Sequence, residues 1–434
     1  MGYALNQTTK PKEQIQTERG KEHVMDNKKT PLERPLQIGQ RTAKNRFVIQ
    51  PFEGSDATPE GRFSELTLTR YENLFKGGAA VVVMEGVTMQ REDSLTRASQ
   101  LSLDVNDPES RAEWEHFLQH KQDKYPDTLL LVQLHHSGEI ADPNIARRIS
   151  VKPLLGHEGV LVDADYIEGV IASFVEAARF LAQIGVDGVD LKFCHGYLGS
   201  QILRPYNDRD WKYGGSFENR ARFAYELCEK VRAVVPDSFL VGAKVGIWEE
   251  MPGGMGTAGP DSPLIDPSEP LQLCKGLESR GANFFIETLG NCYITWNLMC
   301  PDNTAPEHVY QHMTAARLLK QNLRPETAVI CSGLSLLRDG RNIGFNSVEP
   351  EKNSLLYWGN TCIENGDFDM IALGRQSLAD PALPQKYIDR QQDAIHWCRC
   401  CNLCVALSMG GRPAGCAVHN PIYRKSFKEM KENG

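Results

Sequence analysis

The chain has 434 residues, of which 41% are hydrophobic and 24% charged, as in ordinary soluble globular proteins, and its length allows one large domain with extensions. Its net charge of −8 gives no electrostatic basis for binding nucleic acid or an anionic membrane surface. It has no apolar run of about eighteen residues, and residues 1–30 lack the apolar core of a secretory signal, so we expect a cytoplasmic protein with a polar, disordered tail and no membrane span.

Eight short aliphatic or β-branched runs alternate with helical patterns along the rest of the chain. The predicted strands are Phe47–Pro51, Ala79–Glu85, Thr128–His135, Gly188–Phe193, Phe239–Gly246, Asn283–Leu289, Ala328–Gly333 and Phe368–Gly374. A helical pattern such as Tyr166–Ile184, which Gly185 is expected to end, lies between two of them. Repeated strand–helix units indicate a parallel sheet, and eight of them predict an α/β fold of the (β/α)8 TIM barrel type.

Polar residues lie at the predicted strand ends, where such barrels place their working residues. They are Glu53, Glu85 with Gly86, Gln133 with His135 and His136, Lys192 with His195 and Tyr197, Lys244, Ser332 with Gly333, and Gly374 with Arg375. If the loops were purely structural, the strands would more often end in small polar and turn residues. This set therefore predicts an active site at one rim of the barrel.

The fourth strand carries the densest group of these residues. Lys192, His195 and Tyr197 all lie at its end. Residues two apart in an extended chain point to the same side, so one of His195 and Tyr197 can polarise a substrate oxygen while the other handles a proton. A single His or Tyr would more often be a packing residue, but three donors together favour catalysis.

Gly254 to Gly259 match the dinucleotide-binding pattern GxGxxG. That pattern needs a strand directly before it and a helix directly after it. Here Trp248 to Pro252 precede it and Pro260 follows it, so we expect a flexible loop at the barrel rim.

A phosphate site is predicted from the last two strands. Cys331, Ser332 and Gly333 follow the seventh strand and Gly374 and Arg375 the eighth, where barrels commonly bind phosphate through backbone N–H groups. Arg375 would add a charge-assisted contact. Its alternative role is to pair with a surface carboxylate.

Near the C-terminus, Cys398, Cys401, Cys404 and Cys416 have the spacing Cys-x2-Cys-x2-Cys-x11-Cys, with Cys400 between the first two. Closely spaced thiolates of this kind ligate iron–sulfur clusters, and we expect a 4Fe-4S cluster. Zinc accepts the same ligands, usually as two separated pairs, and a disulfide or buried thiols are further alternatives.

Several motifs, ordered along residues 31–420, resemble the Old Yellow Enzyme family of NADH:flavin oxidoreductases. They are Asn45-Arg46-Phe47 with Pro51, the Gln-Leu-x-His-x-Gly pattern from Gln133 to Gly138, HGYL from His195 to Leu198, YGGSFENRARF from Tyr213 to Phe223, and ALGR from Ala372 to Arg375. The C-terminal cysteines make the chain similar to the iron–sulfur branch that includes 2,4-dienoyl-CoA reductase and 2-enoate reductase.

The resemblance implies a barrel that binds FMN at its C-terminal rim. The expected cofactor-binding residues are Pro51, Glu53, Glu85, Gly86, Gln133, Lys244, Ser332, Gly333, Gly374 and Arg375. Of these, Gln133 would bond the flavin pyrimidine edge, Lys244 would lie close to N1 and O2, and the last four would hold the phosphate. Tyr197 would protonate the substrate α-carbon, and His195 would bind its carbonyl oxygen.

Two positions depart from the family pattern. Lys192 stands where many relatives carry a first histidine, so Lys192 and His195 would form the carbonyl-binding pair. The cysteine spacing is one residue shorter before the third cysteine than in dienoyl-CoA reductase-like relatives.

We also expect no FAD- and NAD-binding domains in this chain, so NAD(P)H would reduce FMN directly or a separate protein would deliver electrons through the cluster.

These observations predict a tail over 1–30, an FMN-binding barrel over 31–392 and a cysteine-rich iron–sulfur segment over 393–434. The predicted activity is an FMN-dependent ene-reductase acting on a small α,β-unsaturated carbonyl or thioester, with the loops 249–270, 292–308 and 336–351 shaping its pocket. The alternatives are a dehydrogenase of an amine or alcohol and a zinc-stabilised barrel that acts as a binding module. A homo-oligomer is compatible with each of these three functions.

Overall fold

The computed structural model describes residues 29–432, except 155, 157, 158, 343 and 345–348. Apart from Lys29 and Thr30, the predicted tail lies outside the described residues. Eight parallel strands form a closed barrel, which confirms the predicted (β/α)8 fold. In chain order they are β1 (Phe47–Ile49), β2 (Val81–Thr88), β3 (Leu129–His135), β4 (Gly188–Phe193), β5 (Leu240–Trp248), β6 (Phe284–Leu289), β7 (Ala328–Cys331) and β8 (Met370–Leu373).

Helices follow the strands as the alternating pattern requires. They are Glu65–Lys76, Pro108–Lys124, Ala164–Ile184, Phe217–Val234, Ser268–Glu278, His308–Asn322, Leu355–Asn365, Arg375–Ala379 and Leu383–Ile388, with short helices at Arg91–Ser94, Leu198–Leu203 and Trp296–Met299 and a C-terminal pair at Leu403–Met409 and Pro421–Glu432. The predicted helix over Tyr166–Ile184 is Ala164–Ile184. Asp163 caps its first turn by accepting from the Tyr166 N–H, and Gly185, with φ of 94°, ends it.

The N-terminal end of the barrel is closed and packed. An antiparallel hairpin, Leu36–Ile38 with Arg41–Ala43, covers it. Its Ile38 and Ala43 side chains join an apolar cluster inside the barrel that includes Val48, Leu131 and Met370. Because the described residues fill this end, we expect a ligand to enter at the opposite end, where the loops after the strands lie.

Asn45 and Arg46 fasten the first strand to its neighbours. The Asn45 side chain donates to the Gly78 carbonyl and accepts from the Phe47 and Ala80 N–H groups. Arg46 donates to the carbonyls of Arg34 and Asp369. This part of the family-like motif therefore closes the barrel, away from any ligand.

A buried ion pair holds the loops after β4, β5 and β6 together at the open end. Arg204 donates twice to Glu249, at 2.7 and 3.0 Å, and neither side chain is more than 2% exposed. Glu249 also accepts from the Met255 N–H and the Asn291 side chain. These bonds fix the loop frame around the cavity described below. No helix among the described residues is long and apolar enough to cross a membrane.

Candidate active site

A cavity of about 1050 Å³, including its open mouth, lies at the C-terminal end of the barrel. It is lined by Gln50, Pro51, Phe52, Glu53, Arg97, Lys192, His195, Tyr197, Lys244, Thr288, Cys292, Tyr293, Trp296, Met299, Cys300, Ser332, Gly333, Ser335, Gly374, Arg375, Val405, Ser408 and Met409. Most of the residues expected at the site from sequence are in this wall. Those that are not are Glu85, Gly86, Gln133, His135 and His136 from the strand ends and Cys331 from the predicted phosphate site.

Glu85 is fully engaged by protein groups. Its carboxylate pairs with Arg70 and accepts from the Tyr71 hydroxyl at 3.1 Å and the Gly54 N–H at 3.0 Å. Burial raises the pKa of this carboxyl group. Glu85 therefore belongs to a structural network around Arg70, and its role as a cofactor-binding residue stays a prediction.

Gln133 and Gly86 also lie behind the wall. Gln133 Nε2 donates to Asp190 Oδ2 at 2.7 Å, and burial raises the pKa of Asp190 to about 6. A Cβ atom at Gly86 would lie 3.0 Å from the His135 ring, so the strand packs tightly there. The bond from Gln133 to the flavin stays a prediction.

Lys192, His195 and Tyr197 do meet in the cavity. Lys192 Nζ lies 4.1 Å from the centre of the Tyr197 ring and 3.7 Å from Glu53 Oε1. His195 Nε2 lies 2.9 Å from the Thr288 hydroxyl, and His195 has the unusual φ of 66°. The turn after β4 thus brings a cation, an imidazole and a phenol to one wall of the cavity.

Burial sets the protonation of this group. It raises the pKa of Tyr197 well above its usual value and lowers the pKa of His195 well below its own, with the positive charges of Lys244 and Lys192 adding to the second effect. Near neutral pH the phenol therefore keeps its proton, and the imidazole is uncharged. Tyr197 is suited to donate a proton, and His195 to form neutral hydrogen bonds.

Lys244 provides a second cation deeper in the wall. Its Nζ donates to Gln50 Oε1 at 2.7 Å, and burial lowers its pKa. Nearby, Asp190 Oδ1 is buried with no hydrogen-bond partner among the described residues. Asp190 does not line the cavity, so a ligand with polar ring edges would meet the Lys244 ammonium group here.

The predicted phosphate residues lie together on the far side of the wall. Gly333 has φ of 75°, and a Cβ atom there would lie 2.4 Å from the His312 ring, so only glycine fits. A Cβ atom at Gly374 would face open space. Two glycines beside a basic group form a backbone surface that a phosphate can approach.

Arg375 is buried and connects two segments of the chain. Its guanidinium donates to Asn402 Oδ1 at 2.7 Å and to the Pro301 carbonyl at 2.6 Å. The alternative that it pairs with a surface carboxylate is therefore wrong. Arg375 joins the cavity wall to the cysteine-rich segment, which positions its charge beside the cavity.

The residues present fit a flavin mononucleotide. The cavity is open at one end, and its wall combines apolar and aromatic side chains with a few polar groups, as cofactor sites do. One side carries Lys244, and another carries the glycines and Arg375 where a phosphate would lie. Bound FMN would be held by these residues.

Other wall residues escaped the sequence analysis because they come from loops that fold back over the barrel. Arg97 reaches Glu53 at 3.1 Å and the Ser408 carbonyl at 2.8 Å. The loop 292–308 supplies Tyr293 and Trp296, as expected, whereas no described residue of 249–270 or 336–351 lines the cavity. The helix Leu403–Met409 adds three wall residues that no strand end could have indicated.

The C-terminal cysteines are only partly gathered. Cys398 Sγ lies 4.0 Å from Cys400 Sγ and accepts from the Cys400 N–H at 3.3 Å, while Cys401 is exposed. All twelve cysteines are free, so the disulfide alternative is wrong for this structure. Within the described residues, no three His, Cys, Asp or Glu side chains are placed to hold a metal ion. The side chains as placed do not form the expected cage, and the cluster stays a prediction.

The glycine-rich segment lies in the loop between β5 and the helix Ser268–Glu278. At Gly256 a Cβ atom would lie 1.8 Å from the Ile247 carbonyl oxygen, so this glycine allows the loop to pass close to β5. No helix opens after Gly259, and the segment is a loop, as expected.

The model of the NADH:flavin oxidoreductase / NADH oxidase family matches residues 31–321, which is more than half of the chain. The chain belongs to this family. Membership implies FMN as cofactor and NAD(P)H as reductant, and it agrees with the resemblance identified from the motifs.

Curated relatives are similar at low identity and differ in what they are named for. The NADH oxidase of Thermoanaerobacter brockii is 27% identical, over 86% of this chain and 53% of its own. The cinnamate reductase of Clostridium sporogenes is 25% identical (92% and 59%), and the dimethylamine dehydrogenase of Hyphomicrobium sp. is 26% identical (92% and 51%). The chain thus spans about half the length of the curated relatives it matches.

A solved structure supports the fold. The complex of 2-naphthoyl-CoA reductase with 2-naphthoyl-CoA superposes with a TM-score of 0.74 over 92% of this chain and 58% of that chain, at 20% identity. At this identity the likeness supports the fold alone.

Proposed function

We propose that the protein is an FMN-dependent ene-reductase that reduces the C=C bond of a small α,β-unsaturated carbonyl compound or thioester. The observation that carries this proposal is the position of Tyr197. Its buried phenol, with a pKa raised by burial, lines the cavity between the ammonium group of Lys192 and the aromatic ring of Tyr293. When bound, FMN supplies the hydride that such a reduction requires.

Tyr197 would supply the proton that completes the reduction. A protonated phenol in a water-poor site can give its proton to the α-carbon as negative charge builds up there. Its ring is fixed edge-on against His135 at 4.7 Å and Tyr293 at 6.3 Å between ring centres. This packing limits the directions in which the hydroxyl group can point.

Lys192 and His195 would bind the carbonyl oxygen of the substrate. That oxygen gains negative charge in the transition state, and a positioned ammonium group stabilises such charge strongly where water is excluded. The Lys192 side chain is only 7% exposed. His195 is neutral because burial lowers its pKa, so it would contribute a hydrogen bond without a full charge.

A dehydrogenase of amines is the second candidate, and one relative favours it. The dimethylamine dehydrogenase noted above is similar to this chain, and Glu53 Oε1 is buried with no hydrogen-bond donor among the residues that the structure describes. A protonated amine could supply one. Lys192 at 3.7 Å and Arg97 at 3.1 Å from the Glu53 carboxylate oppose this candidate, because they already balance its charge and would repel a cation.

The electron supply is part of the proposal. NAD(P)H would reduce the flavin in the open cavity, or a separate electron-transfer protein would deliver electrons through a 4Fe-4S cluster of Cys398, Cys401, Cys404 and Cys416. Cys398 Sγ lies 4.0 Å from Cys400 Sγ in this structure, so assembly of this cluster would require that contact to open. A zinc-stabilised binding module would instead contain zinc and no flavin.

An anaerobic titration tests these alternatives. Protein purified without oxygen is expected to show flavin absorbance that NAD(P)H bleaches and an enoate, enone or enoyl thioester restores. Bleaching by a secondary or tertiary amine without NAD(P)H would favour the dehydrogenase. A colourless protein that contains zinc and does not bind FMN would rule out both enzymes.

A further inference from the structure

Two buried ionisable residues, Glu287 and His312, contact the rear of the wall formed by Ser332 and Gly333. Neither side chain has any exposed surface, and His312 Nδ1 lies 3.0 and 3.3 Å from the two Glu287 oxygens. Neither residue lines the cavity. The proposed chemistry therefore leaves both without a role.

The pair fixes the backbone where the phosphate would bind. Glu287 Oε1 accepts from the Ser332 N–H at 2.8 Å, and the Ser332 hydroxyl lies 3.4 Å from His312 Nδ1. The His312 ring fills the space in which a Cβ atom of residue 333 would lie. Gly333 then begins the short helix Leu334–Leu336. The direction of this turn is set from behind by one carboxylate and one imidazole.

His312 also fixes a second part of the wall. Its Nε2 lies 2.9 Å from the Leu298 carbonyl oxygen, which can only accept, so Nε2 carries a proton. Leu298 belongs to the short helix Trp296–Met299, whose first and last residues line the cavity. One imidazole thus connects the loop after β6 with the turn after β7.

Apolar side chains could fill the same space, but they could bind neither the Ser332 N–H nor the Leu298 carbonyl. Burying a carboxylate and an imidazole is costly unless each is paired, so this arrangement serves position more than stability. We propose that Glu287 and His312 are positioning residues that hold the Ser332–Gly333 backbone for the phosphate group of the flavin. This inference rests on the proposed function, because it takes FMN as the occupant of the cavity.

The test compares FMN with riboflavin, which lacks the phosphate. Apo protein is titrated with each flavin and the quenching of flavin fluorescence is followed. In His312→Gln, we expect the Kd for FMN to rise roughly tenfold to a hundredfold and the Kd for riboflavin to change less than about threefold. Glu287→Gln keeps the size and one acceptor but loses the charge, so a smaller change in the same direction is expected.

The matched control is Lys121→Met, which breaks another buried ion pair, with Asp187, where β4 begins. It should leave the ratio of the two Kd values unchanged. The proposal is overturned if FMN and riboflavin weaken by the same factor in the variants, or if neither weakens. If His312→Gln does not fold, Glu287→Gln decides by itself. Failure of the unmodified protein to bind either flavin would instead remove the proposed function.

Discussion

The ammonium nitrogen of Lys192 lies over the face of the Tyr197 ring, 4.1 Å from its centre. A cation in this position interacts with the ring electrons and also offsets negative charge that develops on the phenol oxygen. Burial keeps the proton on Tyr197 at rest, and in the proposed reaction Lys192 would lower the cost of losing it. We therefore expect the two residues to cooperate in the proposed reaction, and a substitution of each one tests its own role.

Replacing Tyr197 by Phe should slow substrate reduction by roughly a hundredfold or more, because the cavity loses its buried proton donor. Reduction of the flavin by NAD(P)H should be spared, since it needs no proton from this phenol. Stopped-flow absorbance measures both half-reactions with several enones and enoates. Tyr293→Phe is the matched control, because its ring lies 6.3 Å from that of Tyr197 in the same wall. Equal slowing in the two variants would contradict the assignment.

Replacing Lys192 by Met should lower kcat by roughly a hundredfold, because the oxygen of the substrate loses the cation that stabilises its developing charge. Lys152→Met provides the comparison. Lys152 also lies over a tyrosine ring, 4.2 Å from the centre of Tyr206, but that pair is outside the cavity. Steady-state kinetics with one enone measures both variants. A change in KM with unchanged kcat would show that Lys192 only binds the substrate.

Asp190 should make the unfolding free energy of the apo protein depend on pH. Burial raises its pKa from 3.8 to about 6, so the folded state binds this proton more tightly than the unfolded state. The resulting stability is fully present below pH 3.8 and is lost as the pH rises to about 6, with a cost of about 3 kcal/mol. Asp190→Asn keeps an acceptor for Gln133 and removes the ionisation.

The difference in unfolding free energy between the variant and the parent protein isolates this effect. Urea unfolding at several pH values should show the variant gaining relative stability between about pH 4 and pH 6, and a constant difference above that range. Asp208→Asn is the control: its exposed pair with Lys152 lowers the pKa of Asp208, so this variant should not gain relative stability as the pH rises, and any trend should have the opposite sign. A pH-independent difference for Asp190→Asn would refute the prediction.

The barrel could be predicted from the sequence because each strand is a short buried run bounded by turn residues. The eight strands agree within three residues at either end, and β4 agrees at both ends. Strand ends converge in a closed barrel, so residues as distant in sequence as Glu53 and Arg375 could be expected at one cavity. This inference needs only the parallel topology and no side-chain detail.

The directions of side chains could not be predicted in the same way. The strand-end rule also predicts Glu85 and Gln133 at the cavity. Their side chains instead bind Arg70 and Asp190, because buried charges and amides need partners within the barrel. Arg97 and Met409 lie far from any strand end and reach the cavity through long-range contacts. The sequence did not indicate a functional role for Glu287 or His312, since a single Glu in a strand or a single His in a helix is usually a packing residue.

The cysteine segment gives the last prediction, because its sequence distinguishes two neighbouring thiols. The spacing assigns the cluster to Cys398, Cys401, Cys404 and Cys416 and leaves Cys400 out. Anaerobically purified protein should contain about four iron and four sulfide per chain, as a 4Fe-4S cluster requires. Cys401→Ser should lose most of this iron, whereas Cys400→Ser should keep it. Iron and sulfide assays with the visible spectrum measure the effect.

This test is stringent because the burial of the two thiols is the reverse of what the spacing argument requires. Cys400 is buried beside Cys398, whereas Cys401 is exposed, so cluster assembly would require the segment 398–401 to rearrange. Asn402 follows this segment and accepts a hydrogen bond from Arg375 at 2.7 Å. This bond anchors the chain at residue 402, so we expect the rearrangement to involve only the few residues before it. Loss of iron in Cys400→Ser but not in Cys401→Ser would overturn the spacing argument, and zinc in place of iron would exclude the cluster.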